Sequence, residues 1–229
     1  MDLVTKQREE RKHRILEVAR GLIADRGYEG VTMRDLADES LVSVPTLYNL
    51  FGGKQELLFA AVESYFLELL KGAERSGRDE GLPQLISLVE MIGHEMLQRA
   101  AYARSLMRFF GGRAETGGLH EFVARRLTNE LVTALEQMQS KRQLVGWLEP
   151  QVLGERLSSH FIITSFEWSS GYLTDEGMQS TLLYGLGIML LGVARGKAAE
   201  ELEALVRKHQ PTAAAEPTAP PSPATADGG

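Results

Sequence analysis

Thr46, Tyr48 and Asn49 stand close together in the chain, with Arg34 upstream and Lys54 downstream. These side chains suit one task, the holding of a phosphodiester backbone and the reading of a base edge. The Thr46 and Tyr48 hydroxyls can bond phosphate oxygens, and Asn49 can reach a base edge or the backbone. Arg34 can make a bidentate contact with guanine, and Lys54 adds a positive charge. Val44, apolar beside these polar groups, is matched to a thymine methyl.

Two short helices are expected to position this set. Thr32 is a good N-cap, and Met33, Leu36 and Ala37 recur at helical spacing, which predicts a first helix over 33–38. A turn follows over 40–42. Ser43 can cap a second helix that tolerates Pro45 in its first turn, where N–H groups lack partners anyway, and that turns Leu47 and Phe51 inward. In a helix-turn-helix the first helix braces the backbone while the second enters the major groove.

The run T-x-R-x-L-A from Thr32 to Ala37 and the run V-S-x-P-T-L-Y from Val42 to Tyr48, with Phe51, Lys54 and Leu57, resemble the TetR family of bacterial regulators. The resemblance implies that Arg34, Thr46, Tyr48 and Lys54 contact DNA, and the full expected set adds Thr32, Ser43, Val44, Pro45 and Asn49. Two residues depart from the family pattern. Leu41 stands in the turn where many members have glycine, which predicts left-handed backbone strain of roughly 1–2 kcal/mol. Leu50 stands where an aromatic or histidine often touches phosphate.

The 229 residues are 43% hydrophobic, enough for a real core, and contain no cysteine, which excludes disulfides and thiol chemistry. The charged start MDLVTKQREERKHR lacks the apolar core of a signal peptide, and the run Leu182–Ala194 is too short to cross a bilayer. A cytoplasmic protein without membrane contact or cofactor is expected. A net charge of −6 is unusual for a nucleic-acid binder, but nine basic residues balance nine acidic ones over 1–55, so the excess lies beyond Gln55. Attraction to DNA must then be local, through Lys6, Arg8, Arg11, Lys12, Arg14 and Lys54.

The chain reads as all-α. Residues 1–55 form a three-helix DNA-binding domain containing the helix-turn-helix, 56–210 a larger helical effector-binding and dimerisation domain, and 211–229 a disordered Ala/Pro-rich tail. A first helix is expected over 6–26, stopped by Gly27, and a fourth from Gln55. A loop over 73–82 precedes a helix opening at Pro83, a short helix spans 102–110, and 111–118 is a glycine-rich loop. The next helix ends near Leu144. Pro150 opens another, with Leu153, Leu157, Phe161, Thr164 and Trp168 on one face, which Gly171 ends. Thr174 caps the last long helix, on which Gly185, Gly192 and Gly196 fall near one face.

These last two long helices are expected to pair with their copies in a four-helix bundle through Leu157, Phe161, Leu182, Gly185, Met189 and Gly192. The family resemblance implies the same homodimer, a palindromic operator, and a small effector bound in the body. The apolar lining expected for it is Phe66, Met91, Met107, Phe110, Phe122, Phe161 and Trp168. Its polar contacts are expected to be His94, Arg108 and His160. Such a protein would be a repressor released by a largely apolar effector; a regulator without effector, or an activator, is the alternative. A helical-bundle metalloenzyme using His94, Glu95, Glu155 and His160 is the distant one, and the spacing lacks the paired motifs that a metal helix needs.

Overall fold

Ile15, Leu16, Ala19, Leu22 and Ile23 are buried along one side of the first helix, as their spacing predicts, and the helix stops where Gly27 takes φ 72°. The computed structural model describes residues 3–76, 80–112 and 118–210. Among them the chain is entirely helical: α1 Leu3–Arg26, α2 Met33–Ser40, α3 Val44–Phe51, α4 Lys54–Ser76, α5 Leu82–Gln98, α6 Ala100–Gly112, α7 Leu119–Ser140, α8 Pro150–Ser169, α9 Asp175–Leu191 and α10 Lys197–His209. One continuous apolar cluster runs from Ile15 on α1 to Leu202 on α10.

Several boundaries differ from the sequence reading. Helix α4 continues to Ser76, through the first four residues of the expected loop, because a single Gly72 costs only about 1 kcal/mol in a helix interior. Helix α7 ends at Ser140; Arg142 takes φ 56°, and Leu144 bridges to Ala194 instead of continuing the helix. Residues 113–117 of the glycine-rich loop and the tail 211–229 lie outside the described residues.

The largest difference is α10, which the sequence reading lacks. Gly192 caps the end of α9 and Gly196, at φ 58°, precedes α10, so neither shares a helical face with Gly185. Ala198 and Leu202 are buried where α10 lies along α9. The close approach is made at Gly187, where a Cβ would stand 2.5 Å from Val206 Cγ2.

The residues expected at the dimer face lie in the same region. Leu157, Phe161 and Leu182 are 2%, 7% and 1% exposed within the single chain, so the intramolecular core already uses them. Gly185 faces the imidazole of His160 on α8, and Met189 is half-buried against the core. The exposed apolar residues of these helices lie elsewhere, at Val152, Ile163 and Phe166 on α8 and Ile188 on α9.

Helix α1 is joined to the rest of the chain by a buried arginine. Arg20, 3% exposed, donates to Ala61 O at 3.3 Å, Ser64 Oγ at 2.7 Å, both Glu68 oxygens at 3.0 Å and Glu17 Oε1 at 2.5 Å. Tyr28 stacks on Phe109 of α6 with centroids 3.8 Å apart. At the far end Arg104 of α6 donates to Trp168 O and Asp175 and lies 4.2 Å over the Trp168 ring, fixing α6 against the α8–α9 corner.

Two measurements check these attachments. Leu202→Ala, at a fully buried position, is expected to cost about 2–5 kcal/mol in denaturant unfolding; a loss under about 1 kcal/mol would show that α10 is loosely held. Burial opposes ionisation of Glu68, but the Arg20 guanidinium and Ser64 outweigh it and hold the carboxyl below its ordinary value. A depressed carboxyl contributes stability above its unfolded pKa, about 4.3, and loses it as pH falls through the folded one. Arg20→Met should therefore cost about 2 kcal/mol at pH 7, less than a fully buried pair because Glu17 and Glu68 are each 39% exposed. The difference from wild type should shrink below about pH 4.

Candidate nucleic-acid interface

Helix α2 begins with a reciprocal cap. Asp35 N–H donates to Thr32 Oγ1 at 3.1 Å and Thr32 N–H donates to Asp35 Oδ2 at 3.0 Å. The Thr32 hydroxyl also donates to Asp35 Oδ2 at 2.5 Å, and this bond, then that of the Thr32 N–H and the Arg26 guanidinium 3.0 Å from Oδ1, hold the Asp35 carboxyl below its ordinary value. Thr32 is thus the start signal of α2, and Arg34 projects, exposed, from its first turn.

The turn after α2 is a Schellman closure. Val42 N–H donates to Ala37 O at 3.0 Å and Leu41 N–H to Asp38 O at 3.3 Å, with Leu41 left-handed at φ 55°, ψ 44°. Leu41 is 89% exposed, so its side chain gains little from burial to offset that conformation. Ser43 then caps α3: its Oγ accepts Thr46 N–H at 3.3 Å and lies 2.8 Å from Thr46 Oγ1.

Helix α3 is anchored by Leu47, fully buried, and by Phe51, packed on the core. Pro45, Tyr48 and Asn49 are exposed, Tyr48 by 50%. Val44, expected to face outward, is half-buried against the core because it occupies the first turn beside α2. Lys54 is tied back, its Nζ donating to Glu29 O at 3.2 Å. Leu50 packs on the core and borders a groove with Leu16 and Phe51. The arrangement is a rigid two-helix unit whose outer surface carries Arg34, Pro45, Thr46, Tyr48 and Asn49.

The body holds an apolar cavity of about 40 Å³ between α4, α5, α6, α7 and α8. Phe66, Met107 and Phe161 line it as expected, joined by Tyr65, Met96 and Leu106, which the sequence reading missed. Ser165, also on the wall, spends its hydroxyl on Phe161 O at 2.8 Å.

The remaining expected lining is elsewhere. Phe122 tilts against Phe59, Met91 packs on the core away from the cavity, and His94 and Arg108 are exposed. His160 donates toward Thr181 O and Leu182 O of α9 at 3.2 and 3.3 Å. Trp168 lies fully buried under Arg104 and donates to Asp175 Oδ1 at 2.8 Å. The side chain of Phe110 lies outside the described residues. Among the described residues, His94, Glu95, Glu155 and His160 do not converge as a ligand set.

Comparison with known proteins places the two-helix unit. Residues 15–61 match the family model for bacterial regulatory proteins of the tetR family. The chain is 31% identical over 110 residues, 48% of its length and 51% of the relative's, to the HTH-type transcriptional repressor KstR of Rhodococcus jostii. It is 35% identical over 71 residues, 31% of its length and 32% of the relative's, to the HTH-type transcriptional activator FasR of Mycolicibacterium smegmatis. These matches thus span about half or less of the relatives. In fold it is similar to Thermus thermophilus FadR, a TetR-family transcriptional repressor solved in complex with lauroyl-CoA, at TM-score 0.64 and 16% identity over 81% of this chain and 96% of that one.

Leu41→Gly should relieve more left-handed strain, roughly 1–2 kcal/mol, than it adds in backbone entropy, roughly 0.5–1 kcal/mol. The expected outcome is a melting temperature raised by a few degrees with DNA binding retained; a clear fall would mean that the exposed leucine has a packing role.

Proposed function

This chain belongs to the TetR family of bacterial regulatory proteins, and from that premise we propose that it is a sequence-specific, double-stranded-DNA-binding transcriptional regulator. It acts as a homodimer on a palindromic operator and is released by a small, largely apolar effector. The observation that carries this reading is the capped unit α2–α3, on which Arg34, Pro45, Tyr48 and Asn49 are exposed and Thr46 is half-buried beside the Ser43 cap.

Residues 1–55 serve as the DNA-binding unit and 56–210 as the effector-binding and dimerising one. Tyr48, Asn49 and the Ser43–Thr46 hydroxyl pair approach phosphate and base edges, Arg34 reads guanine, and Lys54 and Thr32 buttress the unit while adding polar groups at its rim. The homodimer is supported by Val152, Ile163 and Phe166, spaced to form one stripe along α8, with exposed Ile188 beside them on α9. Two such faces would bury each other in a four-helix bundle and hold the recognition helices about 34–36 Å apart.

The effector reading is supported by the apolar cavity. At about 40 Å³ it admits a ligand only as its flexible residues Met96 and Met107 move aside. Lauroyl-CoA in the complex of Thermus thermophilus FadR is consistent with a hydrocarbon ligand in this fold. Repression is favoured by the KstR match, and activation is the second reading because FasR is an activator. No helix among the described residues is long and apolar enough to cross a membrane, and the cytoplasm is the proposed location.

The test is selection of bound duplexes from a random DNA pool, followed by affinity measurements with Arg34→Ala and Tyr48→Ala. Wild type should enrich a palindrome, and each variant should lose about tenfold or more in affinity, the 1–3 kcal/mol of one specific contact, with an unchanged melting temperature. A folded dimer that enriches no sequence at low salt would refute the proposal.

A further inference from the structure

A second void lies between α1 and the corner where α5 passes into α6. It is a cleft of about 340 Å³ bordered by Glu17, Arg20, Gly21, Gln98, Arg99 and Tyr102. Nothing stands within 4 Å of where a Cβ on Gly21 would sit, so the wall along α1 is open there.

Tyr102 is 3% exposed, and its hydroxyl has no hydrogen-bond partner among the described residues. Burial pushes this phenol well above its ordinary pKa, so it remains a proton donor. Arg99 supplies charge. Arg20 holds both Glu17 and Glu68 at close range, whereas among the described residues Arg99 pairs with the second oxygen of Glu17 alone, at 3.5 Å, and lies 5.6 Å over the Tyr65 ring. The Arg99 side chain is 44% exposed at the cleft. The cleft therefore presents a weakly paired, exposed cation, and the orphan hydroxyl of Tyr102 lies buried behind its wall.

The cleft and the apolar cavity are separated by two rings. Tyr102 borders the cleft and Tyr65 the cavity, and they meet edge to face with centroids 5.2 Å apart. Ala103, next in the chain, already lines the cavity.

We propose that the two voids form one site for an amphipathic carboxylate, with its head on Arg99 and Tyr102 in the cleft and its aliphatic chain reaching the apolar cavity as the tyrosine pair parts. This inference rests on the effector reading above and gives the effector a chemical class. An acceptor-only, negative group satisfies Arg99 directly and the Tyr102 hydroxyl once the ring pair parts, and only hydrocarbon suits the cavity. An amine head would set a cation against Arg99; an alcohol would leave its charge unmet. A carboxylate on Arg99 also competes with Glu17, which sits on α1, so occupancy loosens the helix that carries the DNA-binding unit.

The test is thermal unfolding of the full chain titrated with sodium octanoate, octan-1-ol, octylamine and sodium acetate, because a ligand of the native state raises its melting temperature. Octanoate should act at concentrations at least about tenfold below octanol, with octylamine and acetate weaker still. Arg99→Gln, which removes the charge and keeps a polar side chain, and Tyr102→Phe, which removes the hydroxyl alone, should each reduce that advantage to about threefold or less while leaving the octanol response unchanged. Equal potency of octanoate with octanol or with acetate in the wild type, or an advantage that survives in both variants, would overturn the proposal. The readout needs no DNA, so its failure is separable from that of the regulatory reading, which fails if the folded dimer selects no operator.

Discussion

The guanidinium of Arg20 is the contact on which the rest of the molecule depends. It lies inside the seam between α1 and α4, 3% exposed, with five donations shared among two carboxylates, a hydroxyl and a helix carbonyl. A charge so placed contributes little net stability when matched but is costly when a partner is removed, so its main effect is to fix one register of the two helices. Arg99 and His13 extend the network to the same carboxylates from the cleft and the outer side. The stack of Tyr28 on Phe109 fixes the other end of α1 against α6.

Helix α4 therefore faces two ways. Ala61, Ser64 and Glu68 receive Arg20, while Tyr65, Phe66 and Leu69 line the apolar cavity. In the proposed function, a ligand that enlarges the cavity would displace the same helix that orients α1, and α1 packs against α2 of the helix-turn-helix. A coupling of 1–3 kcal/mol through such a shared wall would change DNA affinity by roughly 5–150-fold. On the other side of α6, the Arg104 clamp on Trp168 and Asp175 ties that helix to the α8–α9 corner.

What could be read from the sequence was local. The caps at Thr32, Ser43 and Thr174 and the stops at Gly27 and Gly171 involve partners within a few residues, and the structure has them in place. Periodicity gave the buried face of α8 correctly but could not say what covers it, so Leu157, Phe161 and Leu182 were assigned to a partner chain when the chain's own helices bury them. The exposed stripe of Val152, Ile163 and Phe166 was masked by the stronger apolar face opposite. Helix α10 was legible in Ala198, Leu202 and Val206, but Gly192 and Gly196 read as one helical face instead of an end and a start. Arg20 was hidden because Glu68 lies 48 residues away, and a charged residue in an amphipathic helix reads as solvated. His160 and Trp168 looked like ligand contacts for the same reason: their partners on α6 and α9 are tertiary.

The central claim is that the Arg20 seam sets the position of the DNA-binding unit on the body. The chain has no cysteine, so a single Glu39→Cys on the exposed surface of α2 gives one spin label per subunit. Pulsed electron–electron distance measurement on the proposed dimer, with and without Arg20→Met, tests the claim directly. The account predicts one narrow distance distribution in the parent, broadened to about twice its width or more when the guanidinium is removed. An equally narrow distribution in both, with the dimer confirmed by light scattering, would contradict it.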